Sequence, residues 1–239
     1  MKTLVVIPTY NEVDNIEPLI GLLEKAMQAT PQEFDVLFVD DNSPDGTSQK
    51  IKEFMNSSTG PRVFLLKRKG KEGYAGACIA GFKFSKAQGY EAVVEMDADL
   101  SHDPAYLPAL LTAIGAHDFA VGSRYIKNGG VAGWGLVRRF LSMGGQLFSH
   151  LLLSCPIKDM TGGFNAWRME TLDIVGLDNL ISKGYSFLIE LKYRAYRKGC
   201  TYKEIPILFE DRKHGTSKMS KQIFFEAIRN VFKLRKILH

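Results

Sequence analysis

At 239 residues, with 45% hydrophobic and 24% charged residues, the chain has the size and composition of one large globular domain with a real core. A net charge of +5 and a pI near 9.0 favour anionic partners, whether nucleotides, phospholipid head groups or nucleic acid, without choosing among them. Three widely spaced cysteines, Cys78, Cys155 and Cys200, form no CxxC pair, which excludes a disulfide framework or zinc site and predicts buried free thiols.

The N-terminal apolar stretch is too short for a signal peptide, and no apolar run reaches the roughly 18 residues of a membrane span. The expected place is the cytosol or the cytosolic side of a membrane. Thr3 to Ile7 reads as a buried strand closed by Pro8. Residues Asn11 to Asn15 lead into a helix with Ile16, Leu19, Ile20, Leu23 and Met27 at helical spacing and Asp14 and Glu17 as a capping pair. Phe34 to Val39 is a second strand, running into Asp40, Asp41 and the turn Ser43-Pro44-Asp45-Gly46, with a helix from about Thr47 to Met55. Val63 to Leu66 is a third, followed by the basic loop Lys67 to Gly73 and an Ala- and Gly-rich helix. Val93 to Met96 is the fourth. Pro104 then starts a helix reaching Ile114, with Asp103 as its cap.

In the second half, Phe119 to Val121 is a strand ending in Gly122-Ser123-Arg124-Tyr125. Residues 136–155 read as an apolar helix whose far end, with Leu147, Phe148, Leu151, Leu152 and Leu153, is expected in the core. Asp159 to Phe164 is a turn, Gly184 to Ser186 opens a helix through Arg197, and Tyr202 to Phe209 is a late strand. The last helix, 222–238, is amphipathic and basic, suited either to an anionic membrane surface or to simple docking on the core.

Strands alternating with helices predict an α/β fold with a largely parallel sheet, whose ligands bind beyond the carboxyl ends of the strands. Three exits are polar there: Pro8 to Glu12, Asp40-Asp41 and Asp97-Ala98-Asp99. Neither GxGxxG nor GxxxxGK[ST] is present, which argues against a dinucleotide-binding Rossmann fold and a P-loop. Glu12, Asp41, Asp97 and Asp99 facing one crevice suggest polar base or ribose edges and a metal carrying a diphosphate. On an extended chain Asp97 and Asp99 would point the same way, offering two hard oxygen donors to Mg²⁺ or Mn²⁺. The plainer alternative is a solvated acidic turn. Lys218-Met219-Ser220-Lys221 is similar to the lysine loop of class I aminoacyl-tRNA synthetases, but without a companion HxGH it reads as coincidence.

IPTYNE at 7–12, VDDNSPDGT at 39–47, MDADLSHDP at 96–104, GSRY at 122–125, GGVAGW at 129–134, DMTGGF at 159–164 and EDRKHGTSKM at 210–219 span nearly the whole chain. Together they resemble the family 2 glycosyltransferases of GT-A fold, and within them the dolichyl or polyprenyl phosphate mannose synthases. The resemblance implies one GT-A domain over 1–239, with a nucleotide-sugar half at 1–125 and an acceptor half at 126–239, the latter carrying the amphipathic helices. It implies that Pro8, Tyr10, Glu12, Val39 and Asp41 hold the nucleoside of GDP-mannose, and that Asp97 and Asp99 ligate the metal, with Ala98 between them at the donor. Ser101 stands where some members carry a Gln ligand, so its contact would be weak or through water. Arg212 and Lys218 would clamp the diphosphate, while Arg124, Arg138 and Ser142 would receive the lipid phosphate.

The implied reaction is inverting transfer of mannose to dolichyl or polyprenyl phosphate. The acceptor is largely dianionic at neutral pH, so it needs no general base. The implied setting is peripheral, on the cytoplasmic face of a membrane (endoplasmic reticulum in a eukaryote, plasma membrane in a prokaryote), in some organisms with small membrane-anchoring subunits. The alternatives are another donor such as UDP-glucose, a hydroxyl acceptor with Asp159 as base, and a non-catalytic nucleotide- or membrane-binding module. Nucleic-acid binding rests on charge alone and is not expected.

Overall fold

A computed structural model describes residues 1–55, 60–182, 184, 186–211 and 229–236, and of 136–141 only the backbone. Four strands in the first half, β1 (Thr3–Thr9), β2 (Phe34–Asp40), β3 (Val63–Lys67) and β4 (Ala92–Glu95), lie in the order β3-β2-β1-β4 and all run parallel. Their near-continuous apolar runs follow from burial on both faces. Leu4, Val6, Leu37 and Val39 face α3 (Gly73–Ala87), while Val5, Ile7, Val36 and Phe38 face α1 (Val13–Gln28) and α4 (Leu107–Ile114). Helix α3 comes so close to β1 that a Cβ on Gly81 would stand 2.3 Å from Val6 Cγ1.

The sheet continues as β4-β7-β5-β8, so strands from both halves of the chain share it. β5 (Phe119–Ser123) and β4 each run antiparallel to β7 (Asn165–Arg168), hence parallel to each other, and the exit of β5 joins the same edge as that of β4. Strand β7 was not foreseen: four residues with polar ends carry no usable alternation, and the strand passes directly into α6 (Met169–Val175). The late strand expected over Tyr202 to Phe209 breaks at buried Ile207 into β8 (Tyr202–Pro206), parallel to β5, and β9 (Leu208–Phe209). β9 pairs with β6 (Gly130–Val131), which brings the GGVAGW loop beside the sheet edge.

Three local expectations are corrected or upheld by the structure. Asp14 and Glu17 do not cap α1. The amides at its start go to side chains across a turn, Glu12 N donating to Thr47 Oγ1 (2.9 Å) and Val13 N to Asp45 Oδ2 (3.2 Å), while Glu17 pairs with Lys50. Asp103 does cap, accepting from Ala105 N at 2.9 Å ahead of the 3-10 turn Pro104–Tyr106 that leads into α4. The three cysteines are free and buried, as expected.

α2 (Thr47–Phe54) and α7 (Ser186–Arg197) fall where the sequence placed helices, as does α5 (Leu136–Leu153). The far end of α5 departs from the expectation of core packing: Leu153 is buried, but Leu147 and Leu151 are exposed. Of the last helix, 229–236 is described, and it docks on the core through Val231 and Leu234, with Asn230 Nδ2 donating to Ser186 Oγ at 2.8 Å.

Candidate active site

An open cleft lies where β1, β2 and β4 end. Pro8, Tyr10, Glu12, Asp41, Asp97, Ala98 and Asp99 line it, as do Lys71, Gly73, Tyr74 and Ala77 from α3 and the loop before it. Asp40, one residue before Asp41, is spent on structure: it is fully buried and accepts from Ser43 N (3.1 Å) and Ser48 Oγ (2.6 Å), which fixes the turn after β2.

Asp41 is held from two sides. Arg68 Nη1 donates to Oδ1 at 2.6 Å, and the first amides of α3, Glu72 N (3.1 Å) and Gly73 N (2.8 Å), donate to Oδ2. Both Arg68 and Asp41 are nearly buried, so the carboxylate enters the cleft as a fixed acceptor. Lys71 lies over the Tyr10 ring, its Nζ 3.9 Å from the centroid. Glu12 accepts from Asn15 Nδ2 at 2.8 Å.

The acidic pair shares the cleft by a route other than strand alternation. β4 stops at Glu95, and the chain bends through 97–99 to Leu100, whose φ is +64°. Asp99 is 5% exposed and forms a tight turn, accepting at Oδ1 from Ser101 N (3.2 Å) and Ser101 Oγ (2.5 Å). Ser101 is therefore buried behind Asp99, outside the cleft lining. The Asp97 side chain is half-buried, and its backbone N donates to His102 Nδ1 at 2.9 Å. Burial pushes the His102 imidazole down to about 4, more than the nearby Asp99 pulls it up, so the ring is neutral and can accept through Nδ1. It is clamped between Phe164, stacked at 5.1 Å, and Phe209, edge-on at 5.4 Å.

Behind the acids lies a dry ionic network. Arg124 grips Asp159 with two bonds, Nε to Oδ2 (2.7 Å) and Nη2 to Oδ1 (2.8 Å), and Nη2 also donates to Thr161 Oγ1 (2.9 Å). Burial pushes the Asp159 carboxyl up, but the Arg124 charge and hydrogen bonds outweigh it and hold the group at about 2. Lys192, fully buried on α7, donates to Asp159 O (2.9 Å) and Gly162 O (2.7 Å). Glu95 accepts from Asn165 Nδ2 (2.6 Å) and Trp167 Nε1 (3.3 Å). Burial raises the Glu95 carboxyl and lowers the Lys192 ammonium, since each loses water before it gains a partner. The network ties the 159–164 turn to the strand that delivers Asp97.

Of the other residues singled out from the sequence, Val39 is fully buried with its side chain in the core, so only its backbone is near the cleft. Arg124 stands at the same sheet edge, among the rings of Tyr125, Trp134 and Phe209. Ser142 Oγ bonds to Tyr125 Oη at 2.6 Å, which brings the start of α5 beside Arg124. The backbone of Arg138 lies in the first turn of α5. Arg212 and Lys218 lie outside the described residues. Sequence reasoning missed Arg68, Lys71, His102, Glu95 and Lys192. His102 sits three residues after Asp99, which was a signal of a kind; Lys192 had none, since its helix reads as amphipathic.

Among the described residues no three or more His, Cys, Asp or Glu side chains form a metal cage. A two-carboxylate site suits a hard divalent ion that shares its coordination with phosphate and water, and Asp97 and Asp99 offer that donor chemistry in one cleft.

The profile of the family described as Glycosyl transferase family 2 matches residues 4–175. Undecaprenyl-phosphate mannosyltransferase of Micrococcus luteus is 41% identical over 97% of this chain and 93% of its own length. Polyprenol monophosphomannose synthase of Mycolicibacterium smegmatis is 42% identical over 95% and 84%, and dolichol-phosphate mannosyltransferase of Pyrococcus furiosus 37% identical over 99% and 64%. Among solved structures, glucosyl-3-phosphoglycerate synthase of Mycobacterium tuberculosis, crystallised with Mn²⁺, UDP and glucosyl-3-phosphoglycerate, superposes with a TM-score of 0.64 at 17% identity, over 98% of this chain and 78% of that one. S. aureus TarS with UDP-GlcNAc gives 0.62 at 18%, over 98% and 66%. At these identities the structures speak for the fold, which is GT-A.

Proposed function

The chain belongs to glycosyl transferase family 2, and on that premise we propose that it transfers mannose from GDP-mannose to a polyprenyl phosphate with inversion, assisted by Mg²⁺ or Mn²⁺. The observation that carries this is the cleft that Asp41, Asp97 and Asp99 share at the strand exits, in a chain that aligns almost end to end with polyprenyl-phosphate mannosyltransferases.

Pro8, Tyr10, Glu12 and Asp41 hold the nucleoside, with Asp41 aimed by Arg68 and the α3 amides. Asp97 and Asp99 hold the cation, which when bound draws charge from the departing diphosphate. His102 keeps the Asp97 backbone in place, and Ser101 does the same for the Asp99 carboxylate. Arg124, Arg138 and Ser142 receive the acceptor phosphate, and Arg212 and Lys218 close on the diphosphate; these roles rest on the family pattern. Asp159 fixes Arg124 and is no general base, because a carboxylate held at about 2 takes up no proton near neutrality. None is needed: a phosphate-monoester oxygen, already charged, attacks the anomeric carbon while the bond to the diphosphate breaks on the opposite face.

The enzyme works peripherally at a membrane, and among the described residues no helix is long and apolar enough to cross one. The test offers labelled GDP-mannose, UDP-glucose and UDP-GlcNAc with polyprenyl phosphate and Mg²⁺ or Mn²⁺, then extracts into organic solvent. Label from GDP-mannose should enter the organic phase, and Asp99→Ala should reduce it at least about 100-fold with circular dichroism unchanged. Label that stays aqueous, or extracts only from a UDP-sugar, refutes the assignment.

A further inference from the structure

The GGVAGW loop delivers Trp134 behind a turn that glycine takes most easily: Gly133 has φ +77°, and a Cβ there would stand 3.0 Å from the Asp211 Cβ. The loop is pinned by the β6–β9 pairing and by Ala132 N, which donates to Phe209 O at 2.8 Å. The indole is thereby fixed, edge-on to Phe209 at 5.5 Å and with its centroid 5.8 Å from the Arg124 Cζ. Tyr125 and Phe209 approach the same guanidinium at 5.2 and 5.4 Å. Arg124 is nearly buried and already has Asp159 for its charge, yet all three rings are only half-buried, so aromatic surface stays open beside it. The rings lie outside the lining of the donor cleft and lead away from it: His102, which holds the Asp97 amide, touches Phe209, and Phe209 touches Trp134.

We propose that Trp134, with Tyr125 beside it, is the subsite for the first isoprene unit of the acceptor, which makes Trp134 a specificity-determining residue for the transfer. A polyprenyl phosphate joins a charged head to an apolar, branched chain through a single ester oxygen, so the group that receives the phosphate needs apolar surface at its side. In the proposed transfer Arg124 and Ser142 receive that phosphate, and Ser142 Oγ is bonded to Tyr125 Oη at 2.6 Å. A chain leaving the phosphate there meets Tyr125 and Trp134 first. Packing on the ring faces takes its alkene and methyl surface out of water, and separates a lipid phosphate from inorganic phosphate or a sugar phosphate, which offer the same charge. The other group an indole could stack on is the donor sugar. That sugar hangs from a diphosphate carried at Asp97 and Asp99, and Phe209 stands between the His102 side of those acids and Trp134. The subsite deepens the proposed transfer, and rests on that reading for the arrival of a phosphate at Arg124.

The chain has two tryptophans, and the other, Trp167, is fully buried, so a change in indole emission on adding an acceptor reports on Trp134. The experiment titrates the full chain with geranyl phosphate, and with methyl phosphate as the same charge without the chain, alongside Trp134→Phe and Trp134→Ala. Geranyl phosphate should move the wild-type emission saturably to shorter wavelength; methyl phosphate should not, and neither variant should show the shift. In transfer assays Trp134→Ala should raise the KM for geranyl phosphate about tenfold or more, with the KM for GDP-mannose within about twofold and melting unchanged, and Trp134→Phe should recover most of the loss. If geranyl phosphate shifts the emission but accepts no mannose, the subsite stands and the transferase assignment falls. If the emission does not respond, or Trp134→Ala raises the KM for GDP-mannose and not that for geranyl phosphate, the subsite is refuted.

Discussion

Replacing Asp159 with Asn takes one charge out of a pair that is almost dry: Asp159 is fully buried and the Arg124 side chain is 7% exposed. Two estimates bear on the cost. Holding the carboxyl at about 2 rather than the ordinary 3.8 corresponds to about 2.5 kcal/mol of native-state preference for the charged form. Breaking a buried pair from one side, which strands the other charge, costs about 3–5 kcal/mol. The second applies to Asn, because Arg124 stays ionised, and in a chain of this length it lowers Tm by roughly 10 °C. The sign with pH follows from the depressed value: the carboxylate's stabilisation is fully present above about pH 4 and fades between about 4 and 2. Urea unfolding at pH 7 should therefore show the full deficit of the variant, and the gap to wild type should narrow as the pH falls through that window. Removing both charges, as Arg124→Met/Asp159→Leu, should recover most of the lost stability without recovering transfer. A deficit below about 1 kcal/mol at pH 7, the range of a surface pair, would show that the pair does not hold the turn.

Three further outcomes follow from other contacts. His102→Ala leaves Asp97 N without its acceptor and should lower transfer about 10–100-fold while raising the metal concentration needed, read from a metal titration of the rate. Lys192→Met removes the ammonium donor from the Asp159 carbonyl and leaves the Gly162 carbonyl with Asn165 Nδ2, and should cost about 3 kcal/mol or more in urea unfolding. Gly81→Ala forces a methyl against Val6 and should cost about 1–3 kcal/mol, part of which Val6→Ala in the same chain should absorb, measured by thermal melts of the two single variants and the double.

The deficits expected at Asp159 and Lys192 come from contacts that no local pattern announces, whereas much of the fold was legible. Buried parallel strands are continuous apolar runs, so β1, β2 and β4 were readable, and with them the polar exits that meet in the cleft. Asp103 was readable as a cap because Pro104 follows it; Asp14 was misread because its competitors, Asp45 and Thr47, reach the start of α1 from another turn. Strand β7 was invisible, since Asn165 and Arg168 belong in a sheet only once β4 and β5 stand on either side.

By itself the sequence determined what depends on neighbours along the chain: which segments are strands or helices, where polar residues interrupt them, and that Asp97, Asp99 and Arg124 stand at strand exits. Only the tertiary structure decided which distant groups share one dry space. Arg124 finds Asp159 thirty-five residues away, Asp41 finds Arg68, and α5 turns Gln146 inward and Leu151 out. Periodicity records that a helix has two faces. Which face meets the core, and which charge neutralises which, is set by packing and by the cost of desolvation, and both exist only after the chain has closed on itself.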